Sequence, residues 1–342
     1  MEPNYWSTLS EDVLENEILS KLCFADLYRF GGVCKPWKSL CGPLKFRNHL
    51  PWLIVPPPPS INSNKTMVYQ DENVGFYSLC DGKVYKAKIP QLCNRRICAS
   101  FLGGWLMTIH ENSEVQLFNP LSTRPPLNLP PLDKFPGVQR KFKKQVCFEF
   151  PKLFYTGTRG NFYAVHASGP VVVIHGLDTI PYAERLISDH PERSNLAGLT
   201  YILESAGDLL VLFRSVVGHK GAEEANDEYP HWPHKTVGFK VLKLEFGSPN
   251  RWVELKTLGD RALFVGYNSS FSLLASTFSG CKPNHIYFTD NLWGYFQGQH
   301  FGGQDFGIFN LEDGSIQKFL YPPDAILVLP PPIWFAANPP SS

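Results

Sequence analysis

The chain has 342 residues, enough for one large domain with a small one or for two domains of intermediate size. Its composition, with 43% hydrophobic and 18% charged residues, is that of a globular protein and excludes the disordered class. The formal net charge of +1 argues against a nucleic acid or an anionic membrane as the main partner, because both normally require a basic excess.

Neither the cysteines nor the apolar runs indicate a secreted or membrane-spanning protein. The eight cysteines lack the paired spacing of a metal site, and the N-terminus lacks the basic and apolar regions of a signal peptide. The apolar runs are shorter than the roughly 18 residues that a membrane span needs. We therefore expect a reduced, intracellular protein in the nucleus or the cytoplasm, with no cofactor, no metal and no membrane partner.

The first part of the chain carries apolar side chains at helical spacing. Ser10 is a suitable N-cap with acidic residues in the following turn, and Leu14, Ile18 and Leu22 then recur every fourth position. Two further short helices are predicted, one from about Phe24 to Phe30 and one that carries Pro36 in its first turn.

A run of four prolines at 56–59 separates this helical part from the rest of the chain. Such runs are stiff and extended and cannot be helical. The predicted organisation is a helical domain at 4–48, a proline-rich linker with a first strand at 49–66, and a strand-rich domain at 67–338.

Beyond the linker, the hydrophobic pattern changes to that of strands. Asp81-Gly82 and Asp313-Gly314 each separate two strand-like segments and predict hairpins with type I′ turns. Pairs of strand-like segments recur along the chain: GWLMTIH with EVQLFNP, GNFYAVH with PVVVIHG, GDLLVLF with GFKVLKLE, and HIYFTDN with DFGIFNLE. This repetition favours a β-propeller over a β-sandwich or a β-barrel.

Two apolar segments lie far apart in the chain: Trp52–Val55, the first strand just after the helical domain, and Ile333–Phe335, near the end of the strand domain. A ring of sheets hides its edges only if its ends meet, because an open edge invites aggregation. We therefore expect these two segments to be in contact.

The helical domain holds more apolar side chains than three short helices can bury among themselves, which predicts a protein partner. Its segment LSEDVLENEILSKLCFADLYRFGGVCKPWKSL resembles an F-box, the motif that docks on the Skp-type adaptor of cullin–RING ubiquitin ligases. The resemblance implies a set of adaptor-binding residues: Leu9, Leu14, Ile18, Leu19, Leu22, Leu27, Val33, Cys34, Trp37 and Leu40.

The chain departs from the F-box pattern in two ways. Ser10 and Cys23 stand where the family has prolines, and one extra residue lies between Leu14 and Ile18. In a regular α-helix that residue turns the following positions by about 100° relative to Leu14. The motif is therefore recognised, but the sequence does not determine whether the extra residue weakens adaptor binding.

The remainder of the chain resembles the KIB-type β-propeller domain of plant F-box proteins, through VQLFNPLSTRPPLNLPP and the block from GDRALFVGYNSSFSLLAS to PPPIWF. The resemblance implies an all-α F-box followed by an all-β propeller, acting as the substrate-recognition subunit of an SCF-type (Skp–cullin–F-box) E3 ubiquitin ligase without catalytic residues of its own. The alternatives are a propeller enzyme or small-ligand binder capped by the helices, and an F-box protein that no longer assembles a ligase.

The strand domain offers few residues for a chemical site. His231 and His234 have metal-like spacing, but they lie in a proline-flanked loop without further ligands, so surface histidines are the simpler interpretation. Together with Trp232 they are candidates for substrate contact, because the loop at 216–236 is the longest insertion. Four aspartates could be considered for an acid/base pair, but most of them are more simply turn residues: Asp178, Asp189, Asp290 and Asp305.

Overall fold

The structure is a computed structural model. It describes residues 9–19, 22, 26, 30, 33–40, 50–55, 60–61, 67–68, 73–110, 112, 114–120, 124–131, 154–158, 161–165, 171–175, 182–185, 199–218, 234–247, 249–267, 270–278, 280–291, 294–296, 299–301, 305–319 and 332–336. The predictions for Leu27, His231, Trp232, Asp178 and Asp189 lie outside these residues.

The helical domain is made of short pieces. Helix α1 (Glu11–Val13) continues directly into a π-helical turn at Leu14–Ile18, and helix α2 spans Lys35–Leu40. The predicted second helix lies almost wholly outside the described residues, so three helices are not established. Over the described parts of the chain, every helix is too short or too polar to cross a membrane.

The rest of the described chain consists mainly of strands. In chain order these are β1 (Trp52–Val55), β2 (Ser60–Ile61), β3 (Met67–Val68), β4 (Asn73–Ser78), β5 (Lys83–Lys88), β6 (Arg95–Phe101), β7 (Trp105–His110), β8 (Val115–Phe118), β9 (Leu127–Leu129), β10 (Phe154–Thr158), β11 (Asn161–Val165), β12 (Val171–His175), β13 (Tyr182–Arg185), β14 (Leu199–Ser205), β15 (Asp208–Gly218), β16 (His234–Glu245), β17 (Arg251–Leu255), β18 (Arg261–Val265), β19 (Ser270–Leu274), β20 (His285–Phe288), β21 (Gly294–Phe296), β22 (Gln299–Phe301), β23 (Gly307–Asn310), β24 (Ile316–Gln317) and β25 (Ile333–Phe335). Single 3₁₀ turns occupy Pro90–Leu92 and Ala275–Thr277.

Within the described residues, the strands form four four-stranded sheets, one five-stranded sheet and two small hairpins, β2–β3 and β21–β22. Strand neighbours are antiparallel except for β18 and β20, which run parallel. The sheets have the orders β25-β1-β4-β5, β6-β7-β8-β9, β10-β11-β12-β13, β14-β15-β16-β17 and β19-β18-β20-β23-β24.

The recurring strand pairs of the sequence are neighbours in these sheets, as predicted. Three pairs are the two middle strands of their sheets: β7 with β8, β11 with β12, and β15 with β16. The fourth pair, β20 with β23, lies further out, because the hairpin of β18 and β19 occupies the first two positions of the five-stranded sheet. The last strand pair therefore differs from the other three in its place within the sheet.

The predicted hairpins are present, but their turns differ from the prediction. In the Asp81-Gly82 and Asp313-Gly314 hairpins only the glycine has a positive φ, +67° at Gly82 and +73° at Gly314. Type I′ needs two positive values, so these turns are of another type, and each closes a longer loop through a bond from the glycine N–H to the carbonyl of Ser78 or Asn310. The φ pattern of type I′ occurs instead between β14 and β15, where Ala206 has φ +55° and Gly207 φ +80°.

The sheets pack face to face around apolar clusters, as in a propeller. Strands at one end of each sheet lie against one another: β25 against β6, β10 against β14, and β14 against β19. One cluster joins the third, fourth and fifth sheets, a second joins the first and fifth, and a third joins the first and second. The predicted β-propeller is therefore confirmed.

The last strand completes the first sheet. Trp52 is the register partner of Phe335 and Leu53 that of Trp334, so β25 pairs directly with β1. The Trp334 side chain is fully buried, its Nε1–H donates to the Val265 carbonyl at 2.9 Å, and the Ser100 hydroxyl donates to the Trp334 carbonyl. The predicted contact between the two ends of the domain is confirmed.

Candidate functional site

The helical domain begins with a capped turn. The Ser10 backbone is extended, with φ −64° and ψ 148°, and its hydroxyl accepts from the Val13 N–H at 3.4 Å, as the sequence predicts. Glu11 and Asp12 follow in the first turn, where carboxylates stabilise a helix N-terminus.

The π-helical turn at Leu14–Ile18 accommodates the extra residue. A π turn holds about one residue more than an α turn, so positions five apart then lie on one face. Leu14 and Leu19 are five apart and both are buried, with 3% and 6% of their surfaces exposed. The predicted rotation of the helix face is therefore wrong, because the backbone widens locally and keeps later residues aligned with Leu14.

A small core holds the helical domain together. Leu14, Leu19, Phe30 and Leu40 are buried against one another, and the rings of Phe30 and Trp37 stack with centroids 4.0 Å apart. Other predicted adaptor-binding residues line this core with partly exposed side chains: Leu9, Ile18, Leu22 and Trp37.

The predicted adaptor-binding residues thus differ in their exposure. Leu14, Leu19 and Leu40 face inward and shape the domain, whereas Val33 has 65% of its surface exposed and Cys34 is half-buried. Val13, outside the predicted set, is 42% exposed and adds a second apolar side chain at the surface. Exposed apolar side chains of this kind are the ones free to contact a partner.

The strand domain contains a buried charge cluster that the sequence pattern did not predict. Its centre is Arg214, in the apolar strand β15, with only 1% of its side chain exposed. The guanidinium donates to the Asp305 carboxylate at 2.9 Å, to the Thr236 hydroxyl at 2.7 Å and to the Tyr201 hydroxyl at 3.1 Å. It also donates to the backbone carbonyls of Thr289 and Asp305, at 2.7 and 3.0 Å.

Aromatic rings complete the surroundings of Arg214. The guanidinium carbon lies 4.6 Å from the centroid of the Phe288 ring and 6.0 Å from that of Phe239, within the range of cation–π attraction. Burial alone would lower the pKa of Arg214, but the nearby Tyr201 and Asp305 raise it, so the guanidinium stays charged. A buried charge is tolerated only when it is paired and hydrogen-bonded in this way.

Asp305 and Asp290 are buried members of this cluster, so the interpretation of these two as turn aspartates is wrong. The Asp305 carboxylate accepts from the Thr236 N–H at 2.8 Å and from its hydroxyl at 2.6 Å. The Asp290 carboxylate lies 2.7 Å from His234 Nε2 and 3.3 Å from the Asp305 N–H.

His234 is also not the surface histidine that the sequence suggests. Only 12% of its side chain is exposed and it points at Asp290. Burial alone would lower the pKa of His234, but the hydrogen bond and charge of Asp290, together with the charge of Asp305, raise it above its ordinary value. In the described residues, no group of three or more potential metal ligands comes together.

The cluster lies at the roots of two insertions. His234 and Thr236 begin β16, directly after the segment that connects it to β15, and Arg214 lies on β15 itself. Asp290 and Asp305 bracket the segment that contains the β21–β22 hairpin. A strand-embedded arginine within the run LLVLFRSVV was the one signal in the sequence that pointed to this cluster.

Comparisons with known proteins agree with both halves of this description. Residues 6–49 match the F-box domain, and residues 76–156 and 150–310 match the KIB1-4 beta-propeller, which together span more than half of the chain.

F-box proteins of Arabidopsis thaliana are similar to this chain, two of them along most of their length. The F-box protein SKIP23 of Arabidopsis thaliana is 26% identical over 410 aligned positions, which cover 97% of this chain and 96% of that protein. A second F-box protein of A. thaliana is 24% identical and covers 85% of this chain and 97% of its own length. A third is 42% identical over 84 positions, 25% of this chain. The chain therefore belongs to the plant F-box proteins that carry a KIB1-4 β-propeller.

Proposed function

We propose that this chain is the substrate-recognition subunit of an SCF-type E3 ubiquitin ligase. Its F-box docks on a Skp-type adaptor and through it on a cullin, and its propeller binds a protein substrate. The observation that carries this proposal is the joining of an F-box and a KIB1-4 β-propeller in one chain. Nuclear or cytoplasmic location stays a prediction.

The described part of the F-box supports adaptor docking. Its core of Leu14, Leu19 and Leu40 is buried, and the π-helical turn keeps the helix in register despite the extra residue. Val13 and Val33 remain exposed, which leaves apolar surface for a partner to cover. These features weigh against an F-box that has lost its ability to dock.

In this role the protein accelerates ubiquitination by holding the substrate near the charged enzyme, so the gain comes from proximity. No residue of the chain has to take part in the chemistry. The propeller-hydrolase alternative gains no support from Asp290 and Asp305, because both carboxylates are buried and held by His234, Thr236 and Arg214.

Adaptor capture tests the docking half of the proposal. Val33→Asp places a charge on a side chain that is 65% exposed, so the F-box should stay folded while an apolar contact with the adaptor is lost. We expect the affinity for a purified plant Skp-type adaptor to fall by at least about fivefold, the effect of losing an interface residue worth more than about 1 kcal/mol. Isothermal titration calorimetry measures this.

Val237→Asp is the matched control, because Val237 is a similarly exposed valine, at 49%, on the propeller strand β16. It should leave adaptor affinity unchanged. Equal affinities for Val33→Asp and the unmodified chain would reject Val33 as an adaptor contact, and absence of binding by the unmodified chain would reject the ligase role.

Affinity capture with residues 50–342 as bait, followed by mass spectrometry, tests the recognition half. Proteins retained by this propeller and ubiquitinated in a reconstituted reaction only with the full chain are the expected substrates. Retained proteins whose ubiquitination is the same without the F-box would contradict the proposal.

A further inference from the structure

The β15–β16 hairpin extends beyond the sheet to which it belongs. Strand β14 pairs with β15 only as far as Arg214, and β17 pairs with β16 only from Val241 onward. The strands continue as a two-stranded ribbon past a β-bulge between Ser215 and Val216, and its last register pair is Gly218 with His234. We call residues 215–218 and 234–238 the ribbon root.

The ribbon root is tied to the neighbouring sheet by side chains at two points. Thr236 binds the Asp305 carboxylate with both its N–H and its hydroxyl. His234 binds Asp290 at 2.7 Å. Since Asp290 and Asp305 flank the β21–β22 segment, the two ties join the roots of both insertions.

The two ties differ in chemistry. In the tie between Thr236 and Asp305, the ribbon supplies no group that titrates near neutral pH. In the tie between His234 and Asp290 it supplies an imidazole, which changes its charge in this range. The side chain of His234 is 12% exposed, so protons reach it, whereas Asp290 is fully buried.

We propose that His234 is a positioning residue whose protonation fastens the ribbon root to the root of the β21–β22 hairpin, and whose deprotonation loosens it. Protonated His234 and Asp290 form a largely buried ion pair, whereas neutral His234 makes only a hydrogen bond. We call this pH-dependent tie between His234 and Asp290 the fastener, and its existence does not depend on the proposed function. Its role in regulating substrate recognition does depend on it, because that role requires the propeller to bind the substrate.

The charges around His234 favour the protonated form. Asp290 approaches it from the end of β20 and Asp305 from the start of β23, while Arg214 opposes protonation from β15. Tyr201, on β14, is kept neutral because burial raises its pKa. The net effect is a raised pKa for His234, so its tie is fully formed below its ordinary value of 6.5 and is lost as the pH rises through the raised value.

Hydrogen exchange tests the fastener. Amide protection of the ribbon root and of β21–β22, corrected for the intrinsic pH dependence of exchange, should fall several-fold between about pH 6 and pH 8.5. In His234→Gln, which keeps a hydrogen-bonding group but cannot titrate, protection should be the same at both pH values. NMR titration of the His234 ring should give a pKa above 6.5 in the unmodified chain.

His285→Gln is the control for a general histidine effect. His285 lies on β20, outside the ribbon root, and its ring contacts the Pro283 carbonyl, so this variant should retain the full pH dependence. Asp290→Asn should lower the pKa of His234. If Asp290→Asn fails to fold, His234→Gln still tests the proposal. The proposal would be overturned if amide protection in His234→Gln depended on pH as it does in the unmodified chain. It would also be overturned if protection in the unmodified chain did not depend on pH.

Capture assays separate this inference from the proposed function. Failure of the unmodified chain to bind a Skp-type adaptor would reject the ligase role and leave the exchange result standing. If the adaptor binds normally but amide protection does not change with pH, only the fastener is rejected. With both intact, retention of substrates should depend on pH in the unmodified chain and not in His234→Gln, and equal dependence in both would reject the regulatory role.

Discussion

Leu53 and Trp334 are register partners in one antiparallel sheet, although they belong to opposite ends of the strand domain. Both are buried, and the Trp334 indole also bonds the Val265 carbonyl of the adjacent sheet. The ring is thus fastened by side-chain packing and by backbone pairing at the same place.

Deleting residues 330–342 should therefore open the ring. Loss of β25 exposes the paired edge of β1 and the buried face around Leu53, which favours aggregation. The point variant Trp334→Ala, which keeps the strand, should destabilise the protein by about 3–5 kcal/mol. Light scattering and thermal melting measure the two effects.

Removal of residues 1–48 is the control for this closure, because it leaves β1 and β25 in place. That chain should melt cooperatively and remain soluble. A soluble, cooperatively melting chain that ends at residue 329 would contradict closure by β25.

The Arg214–Asp305 pair should contribute strongly to the free energy of unfolding of the propeller. Arg214→Met leaves Asp305 charged and buried without its main partner, and such losses cost about 3–5 kcal/mol. The matched change is Lys240→Met on the neighbouring strand, where a half-exposed pair with Glu254 at 3.5 Å contributes at most about 1 kcal/mol. Urea denaturation measures the free energy of unfolding of both variants. Similar losses of stability in the two would contradict the larger contribution of Arg214.

The π-helical turn predicts an unusual tolerance to deletion. Without Asn16 the turn can become α-helical, which places Leu14 and Leu19 four positions apart and still on one face. Folding and adaptor capture should therefore be retained in that variant. Adding an alanine after Asn16 should abolish capture, because neither turn type then aligns the two leucines. Pull-down of the adaptor measures both, and equal loss in the two variants would argue against this alignment.

Cys281 should be an unreactive thiol. Burial raises the pKa of Cys281 to about 11, and the thiolate is the reactive form. At pH 8, alkylation with iodoacetamide followed by peptide mass spectrometry should modify the exposed Cys80 well before Cys281. In urea the two rates should converge, whereas equal rates in the folded protein would show that Cys281 is accessible.

The repeat and the closure could be predicted from the sequence because both depend on local signals. The pairs β7–β8 and β11–β12 are hairpins whose apolar pattern and turn residues lie within about 20 positions, a range over which spacing determines pairing. The pairs β15–β16 and β20–β23 are interrupted by longer segments, and it is the repetition of the pattern that identifies them. The contact between the segments that contain Trp52 and Trp334 required one further argument, namely that an open sheet edge is unfavourable. The predicted turn types were wrong, since only Gly82 and Gly314 have a positive φ, whereas a type I′ turn needs a positive φ at the preceding aspartate as well.

The charge cluster could not be predicted, because its members are brought together only by the packing of two sheets. Arg214 and Asp305 are 91 positions apart, and Asp305 looks like a loop residue in the sequence. The π-helical turn was missed for a different reason. An extra residue can either rotate a helix or widen it, and the apolar pattern around Leu14 and Ile18 fits both until the burial of Leu19 is known.

The place of β25 in the first sheet also has a consequence for biosynthesis. At about 5–20 residues per second, translation from Val55 to Ile333 takes roughly 14–55 s, during which the first sheet lacks its final strand. The F-box leaves the ribosome at the start of this interval and the ring closes only at its end. A premature stop codon late in the message would therefore release a chain with an intact F-box and an unclosed propeller, able to occupy the adaptor without presenting a substrate.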